Sequence, residues 1–514
     1  MPDHLRSLVV ILAISAVVFA FAKAPACAVA CTVGDFERRR NLWFAITFTA
    51  FLSHNFWIYI VVTAVILLFA LPREPNKLAM FFFLLFALPA VQGEIPGLGI
   101  ANYFFIIHYP RLLAMTVLMS AFLFLRKSPD VERFGRSMAD KLIACFIVLN
   151  VLLQFRSNTL AEGLRSVVFG AFFGTFLPYY VSSRAPRKLQ DYRDVLMAFV
   201  IAAMVIGAIG VFEAARYWWL YTSLQYALGV KLFEQGYLLR EGSLRAAATT
   251  GHPLVLGYVM VVAIGFFLYL KTSIAKRKDW VLGMMLLVAG LVAPLSRGPW
   301  VGAAVIVAVF IATGPAPGRA FAKLGLLGLI AVPALLLSPV GEKFVNLLPF
   351  VGTVEQDNVS YRSLLLEVSL QVMMENLYLG SDTFLQTPAM QVLMQGQGMI
   401  DLVNTYLVIG LSNGVIGLAL FSSFFVAVIA SIFKAMRSVS DRGSENYLLG
   451  RALLSTLLGI LVIIFTVSPI SVIPTIYWSV AGLGVAYVRM LSLAPAAGAA
   501  RPAKVQPTVA ARAA

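Results

Sequence analysis

Residues 195–212, VLMAFVIAAMVIGAIGVF, and residues 253–270, PLVLGYVMVVAIGFFLYL, each run eighteen positions without a charged side chain. A helix rises ~1.5 Å per residue, so such a run reaches about 27 Å, close to the ~30 Å of hydrocarbon in a bilayer. Neither run keeps the polar face that a helix on a water-exposed surface needs. Comparable apolar runs lie at about 7–23, 51–71, 78–92, 111–125, 141–155, 165–181, 280–295, 299–313, 324–337, 410–433, 449–468 and 474–489. The pattern predicts an all-α, polytopic membrane helix bundle of about 12–14 transmembrane helices over residues 1–493.

Composition agrees with that reading. Of the 514 residues 60% are hydrophobic and only 12% charged, with a mean hydropathy of +0.87. A soluble domain carries about a quarter charged residues, so most of this surface must face lipid. The net charge of +16 comes from 40 basic against 24 acidic residues. The basic residues fall between apolar runs and no nucleic-acid motif accompanies them, which excludes a nucleic-acid partner.

Five short loops hold the basic residues: Arg126 to Lys141, Arg184 to Arg193, Lys271 to Lys278, Arg319 to Lys323 and Lys434 to Arg451. All five fall on one side of the helix count, and the positive-inside rule makes that side cytoplasmic. Both termini are expected to join it, including an Ala/Pro-rich tail over 494–514 that reads as disordered. The N-terminal run could serve as a cleavable signal, but the spans that follow favour an uncleaved first helix. One segment departs from the rule. The run from Leu42 to Leu71, interrupted at Ser53-His54-Asn55, reads as an interfacial helix followed by one span, which leaves Arg38, Arg39 and Arg40 outside.

Two long polar segments, about 213–251 and 338–402, fall on the opposite, outer face, where chemistry is to be sought. Four local features stand there or at its edge. Ser296-Arg297-Gly298-Pro299-Trp300 places Arg297 at the membrane boundary, either snorkelling or binding an anion. Tyr361 and Arg362 open a helical stretch; a guanidinium near a helix start needs an anionic partner, either Glu355, Asp357 or Glu367 or a substrate phosphate. Asp401 precedes Asn404, Thr405 and Tyr406 at the entry to an apolar span, and is either an N-cap or an acid/base group. His252, in Thr249-Thr250-Gly251-His252-Pro253, is either part of a structural turn or a proton carrier. Cys27, Cys31 and Cys145 form no disulfide framework or metal-ligand pattern, and no nucleotide-binding loop is present, so neither metal nor cofactor is expected.

In order, GHPLVLGY (251–258), LSRGPW (295–300), YRSLLLEVSLQVMMENLYLGSD (361–382) and DLVNTYLVIGLSNGVIGLALF (401–421) resemble the O-antigen polymerase and ligase family over about 249–425. The resemblance implies a bacterial inner-membrane glycosyltransferase working at the periplasmic face. Its donor would be an undecaprenyl-diphosphate-linked glycan and its acceptor a second glycan, without a metal. A chain-length regulator, a flippase and export proteins would be its pathway partners. Arg297 and Arg362 match arginines of the family's Ser-Arg-Gly turn and periplasmic-loop helix, and would bind the diphosphate with Tyr361, Asn404 and Tyr406 around the substrate. The ligase branch has a histidine directly before Asn-x-Tyr-Leu, where this chain has Val403. A polymerase of exopolysaccharide or O-antigen-like repeat units is therefore expected, with Asp401 as base and His252 second. A ligase is the alternative within the class, and a lipid-linked-sugar flippase or small-molecule transporter the alternative outside it.

Overall fold

The computed structural model describes every residue except 98–101, 157–158, 231–237, 241, 337–355, 396–397 and 494–514. It is an all-α polytopic bundle. The elements run α1 (Asp3–Val29), α2 (Val33–Leu52), α3 (Phe56–Ala70), α4 (Lys77–Leu84), the hairpin β1 (Gln92–Pro96) and β2 (Tyr103–His108), α5 (Tyr109–Lys127), α6 (Met138–Gln154), α7 (Leu160–Arg184) and α8 (Leu189–Arg216). After the short α9 (Thr222–Leu228) come α10 (Pro253–Leu270), α11 (Arg277–Val292), α12 (Arg297–Ala312), α13 (Pro317–Leu336), α14 (Gln356–Glu375), α15 (Pro388–Gln391), α16 (Thr405–Ser438), α17 (Glu445–Ile464) and α18 (Ile473–Leu493). Among the described residues nine helices are long and apolar enough to cross a membrane. The most enclosed are α8 and α10, the two runs that decide the fold; they pack along one another, and Val255 to Ala263 are all fully or nearly fully buried.

Polar residues at the breaks set where helices begin. Thr32 accepts from Asp35 N at 3.1 Å, Asn55 from Trp57 N at 2.9 Å and Ser137 from Asp140 N at 3.0 Å. Each such N-cap stabilises its helix by ~1 kcal/mol and stops it from merging with the one before.

Side-chain contacts place the helix ends. Gln190 Nε2, at the start of α8, donates to Ala30 O at 2.6 Å, so the end of α1 and the start of α8 share one end of the bundle. Arg489 Nη2 of α18 donates to Arg184 O at 3.3 Å at that same end. Here also Arg193 and Tyr269 meet Glu445, and Arg184 meets Asp140 at 2.7 Å. This is the basic end. The opposite, loop end holds the start of α1, where Ser223 Oγ donates to Ser7 Oγ at 3.2 Å and Arg6 lies over Trp218.

This arrangement corrects two sequence expectations. Residues 42–71 are not an interfacial helix plus one span: α2 and α3 form an antiparallel hairpin turning at Ser53 to Asn55. Arg39, near the start of α2, binds Glu74, just past α3, at 2.6 Å, while His54 at the turn packs on His4. Helix α2 therefore runs back along α3 where an interfacial helix was expected, although it is not among the nine helices apolar enough to cross a membrane. As a result Arg38, Arg39 and Arg40 stand at the basic end with the other cationic loops, so the exception to the charge rule disappears. The start of α1 and the end of α18 lie at opposite ends of the bundle; the tail over 494–514 lies outside the described residues.

The run at 78–92 differs as well. Only Lys77–Leu84 is α-helical, and Gln92 to Pro96 instead pairs antiparallel with Tyr103 to His108. Pro89 cannot continue a helix, and the Leu84 carbonyl accepts from Ala87 N at 2.9 Å and from Tyr109 Oη at 2.8 Å. Residues 78–88 are wholly buried in protein, the condition under which irregular backbone is tolerated at membrane depth.

Candidate functional site

At the loop end the chain between α11 and α12 turns sharply through Pro294, Leu295 and Ser296, with Leu295 in the left-handed region (φ 48°). Two arginines from the preceding loop hold that turn. Arg245 donates from Nε to Pro294 O at 3.2 Å and from Nη2 to Ser296 Oγ at 3.1 Å, and Arg240 donates from Nη1 to Leu295 O. Ala246 N donates to Ala293 O at 3.2 Å, which docks the loop on the end of α11. Arg297, the first residue of α12, follows at once and is half-buried. Two guanidiniums thus hold the four residues of backbone that carry Arg297 at the bundle's edge. Arg240 and Arg245 were not singled out from the sequence; an arginine in a long polar loop looks like any solvated charge until the fold brings it to a boundary.

Glu213, near the end of α8, secures this loop. Its side chain is buried and accepts from Leu220 N at 3.1 Å, Ala247 N at 3.1 Å and Ala248 N at 2.8 Å. Both ends of the loop are therefore stapled to one carboxyl. Glu213→Ala leaves three buried N–H groups without that acceptor, each worth ~1–3 kcal/mol. The expected result is a clear drop in the thermal midpoint and faster proteolytic cutting within 217–250, read by gel and mass spectrometry on detergent-solubilised protein.

His252 has a structural task. It caps α10, with Nδ1 accepting from Leu254 N at 3.1 Å, while Thr250 Oγ1 bonds Ala247 O at 2.7 Å and Thr249 Oγ1 bonds Phe86 O at 2.9 Å. Burial, with the Arg245 charge beside it, brings the imidazole down to about 4. A neutral imidazole has one lone pair, and here the cap occupies it.

The second group of residues rides on α14 and the segment before α16. Tyr361 Oη accepts from Asp401 N at 3.1 Å and lies 3.3 Å from Asp401 O, which brings the first turns of α14 to Asp401. Partial burial pushes the Asp401 carboxyl above its ordinary value, and the Arg362 charge works in the opposite direction. Asp401 is thus one acid that feels the Arg362 charge; the side chains of Glu355 and Asp357 lie outside the described residues. Asp401 is not the helix cap. Asn404 is, with its Oδ1 accepting from Tyr406 N at 2.9 Å and Leu407 N at 3.2 Å, so the Asp401 carboxylate is left for other work. Tyr406 turns its hydroxyl to Leu461 O at 3.0 Å, a helix-to-helix tie.

The loop between α17 and α18 joins the two groups. Gly298, beside Arg297, packs so closely on Thr466 that a Cβ there would overlap it. The next two residues reach the other side: Thr405 Oγ1 donates to Val467 O and Ser468 Oγ to Leu402 O, both at 2.7 Å. Arg297 and the Asp401–Thr405 segment therefore flank one short loop, although more than a hundred residues separate them in sequence. Among the described residues no group of three or more His, Cys, Asp or Glu side chains is placed to hold a metal ion.

The fold and these residues define an all-α polytopic membrane protein with arginines and a partly buried carboxyl gathered at one end of the bundle. No protein-family model matches the chain, and no curated protein matches it.

Proposed function

We propose that the protein is a bacterial inner-membrane glycosyltransferase that polymerises undecaprenyl-diphosphate-linked oligosaccharide repeat units into an exopolysaccharide or O-antigen-like polymer at the periplasmic face. The observation that carries this reading is the assembly of Arg240, Arg245 and Arg297 on one side of the 466–468 loop and of Tyr361, Arg362 and Asp401 on the other. Cationic forks suit a diphosphate, and a carboxylate of raised pKa suits a base. The positive-inside rule makes the basic end cytoplasmic, which puts these residues and the start of α1 on the periplasmic side.

In this reaction Asp401 takes the proton of an acceptor hydroxyl, whose oxygen attacks the anomeric carbon of the donor sugar. The bond from that carbon to the diphosphate oxygen breaks, and the lipid diphosphate leaves with the electron pair. Guanidiniums stabilise the charge growing on it. The chemistry uses this chain's own residues and calls for no metal or cofactor.

A break in α16 at Gly414 is a feature that ion-coupled transporters share. Its backbone groups are already engaged, Val415 N with Leu377 O at 2.8 Å and Ser412 O with Arg156 at 3.0 Å, which favours the enzyme over a transporter. A deletion strain tests the proposal. Single lipid-linked repeat units are expected to accumulate on the periplasmic side; long polymer left on the carrier would mean a ligase, and units stranded on the cytoplasmic side would overturn the reading.

A further inference from the structure

The Gly414 break lies where three helix ends converge. At φ 65° and ψ −170° the backbone leaves helical geometry, so residues 405–413 and 415–438 of α16 are two segments. A break strands N–H and C=O groups that must find partners away from water. The turn that follows α14 supplies some of them: Val415 N donates to Leu377 O at 2.8 Å, Ile416 N to Tyr378 O at 3.3 Å, and Ser381 N to Leu411 O at 2.8 Å. A Cβ at Gly414 would overlap the Tyr378 carbonyl, and one at Gly380 (φ 66°) the Leu411 carbonyl, so the two backbones meet with no side chain between them.

Arg156, just past α6, closes the junction. Its Nη1 donates to Leu379 O at 2.9 Å and Gly380 O at 2.8 Å, its Nη2 to Ser412 O at 3.0 Å, and its Nε to Leu153 O at 3.2 Å. Those carbonyls sit at or just past the C-terminal ends of α6, α14 and the first segment of α16. The ends of α6 and of the first segment of α16 each carry about half a negative charge, so one guanidinium serves two helix ends and four acceptors at once. Asn413 Nδ2 adds a bond to Asn150 Oδ1 of α6 at 2.9 Å.

The parts held here also carry the candidate site. Helix α14 and the start of α16 share a small apolar core of Leu365, Val372, Phe384, Met390, Val403 and Leu411, separate from the main core of the bundle. Tyr361, Arg362 and Asp401 belong to this outer unit, whereas Arg297 starts a helix of the bundle. We propose that Arg156 is a positioning residue: it pins the outer unit to the bundle at the Gly414 break and so sets where Asp401 and Arg362 stand relative to Arg297. Its effect on turnover rests on the glycosyltransferase reading; the pinning does not.

Full-length protein in lipid nanodiscs separates the two. Hydrogen exchange reads the Ser381, Val415 and Ile416 amides, and polymerisation of a lipid-diphosphate-linked oligosaccharide reads the site. Arg156→Gln is expected to speed exchange at those amides by about tenfold while amides in α8 and α10 stay unchanged. It is expected to lower kcat by about 10²-fold with the donor KM held, as displaced reacting groups do. Arg156→Lys keeps the charge but cannot reach four carbonyls in a fixed fork, and should fall between wild type and Arg156→Gln in both readouts even if Arg156→Gln folds poorly. Unchanged exchange overturns the pin. Faster exchange with normal turnover overturns the positioning role, as does a raised KM with normal kcat, which would mean direct contact with substrate. A wild-type protein that makes no polymer would sink the glycosyltransferase reading, while the exchange data would still decide the pin.

Discussion

Replacing Arg39 by methionine is expected to destabilise the protein by about 3–5 kcal/mol, the cost of removing one partner from a buried ionic network. Arg39 is 2% exposed and lies between two carboxylates, bonding Glu74 from Nη2 at 2.6 Å and Asp194 from Nη1 at 2.6 Å and Nη2 at 3.0 Å. Arg38 adds a bond to Glu74 at 3.2 Å and pairs with Asp35. The network joins the start of α2, the end of α3 and the start of α8, so it sets the register of the α2–α3 hairpin against the bundle. Without Arg39 the buried Glu74 loses its main counter-charge, since Arg38 alone reaches only one of its oxygens. Thermal unfolding in detergent should show the loss. If charge compensation is the cause, Arg39→Met combined with Glu74→Leu and Asp194→Leu should recover much of it, because apolar replacements of similar volume remove the desolvation cost along with the attraction. A single variant with wild-type stability would show that water reaches the site.

The second large effect is on turnover. Arg297→Ala is expected to reduce polymerisation by about 10²–10³-fold, the range seen when one preorganised donor to a developing oxyanion is removed. Arg297→Lys should recover little, because an ammonium cannot fork two phosphate oxygens. Asp401→Asn should cost a comparable factor and also change the pH profile. In the proposed reaction the base works as a carboxylate, and burial raises the Asp401 pKa, so activity should fall as pH drops through a value above the ordinary 3.8. Loss of that acid limb in Asp401→Asn identifies the base. A limb that persists unchanged assigns it to another group.

The wrong expectations share one physical origin. Hydropathy reports whether a segment avoids water, not which way it runs. Residues 42–71 read as an interfacial helix followed by one span, and only Arg39 meeting Glu74 shows that the chain turns back at Asn55. Residues 78–92 are equally apolar, yet the helix stops at Leu84 and a turn leads into a strand that begins at Gln92, because protein rather than lipid surrounds residues 78–88. Asp401 and Asn404 are both good capping residues; the backbone path decides in favour of Asn404, and the carboxylate is left over.

The all-α membrane architecture could be read from the chain alone, because uncharged eighteen-residue runs such as 195–212 and 253–270 admit no other stable placement, and the candidates Arg297, Arg362 and Asp401 stood out as charges beside apolar runs. The grouping of those residues could not. Arg297 and Asp401 are neighbours of one loop because Gly298 lets α12 close on Thr466 and because Thr405 and Leu402 bond Val467 and Ser468. Arg240 and Arg245 join them only through the stapling of their loop to Glu213 and the turn at Leu295. Contacts between residues so far apart in sequence are set by packing and by the need to satisfy buried backbone groups, and neither leaves a local trace in the chain.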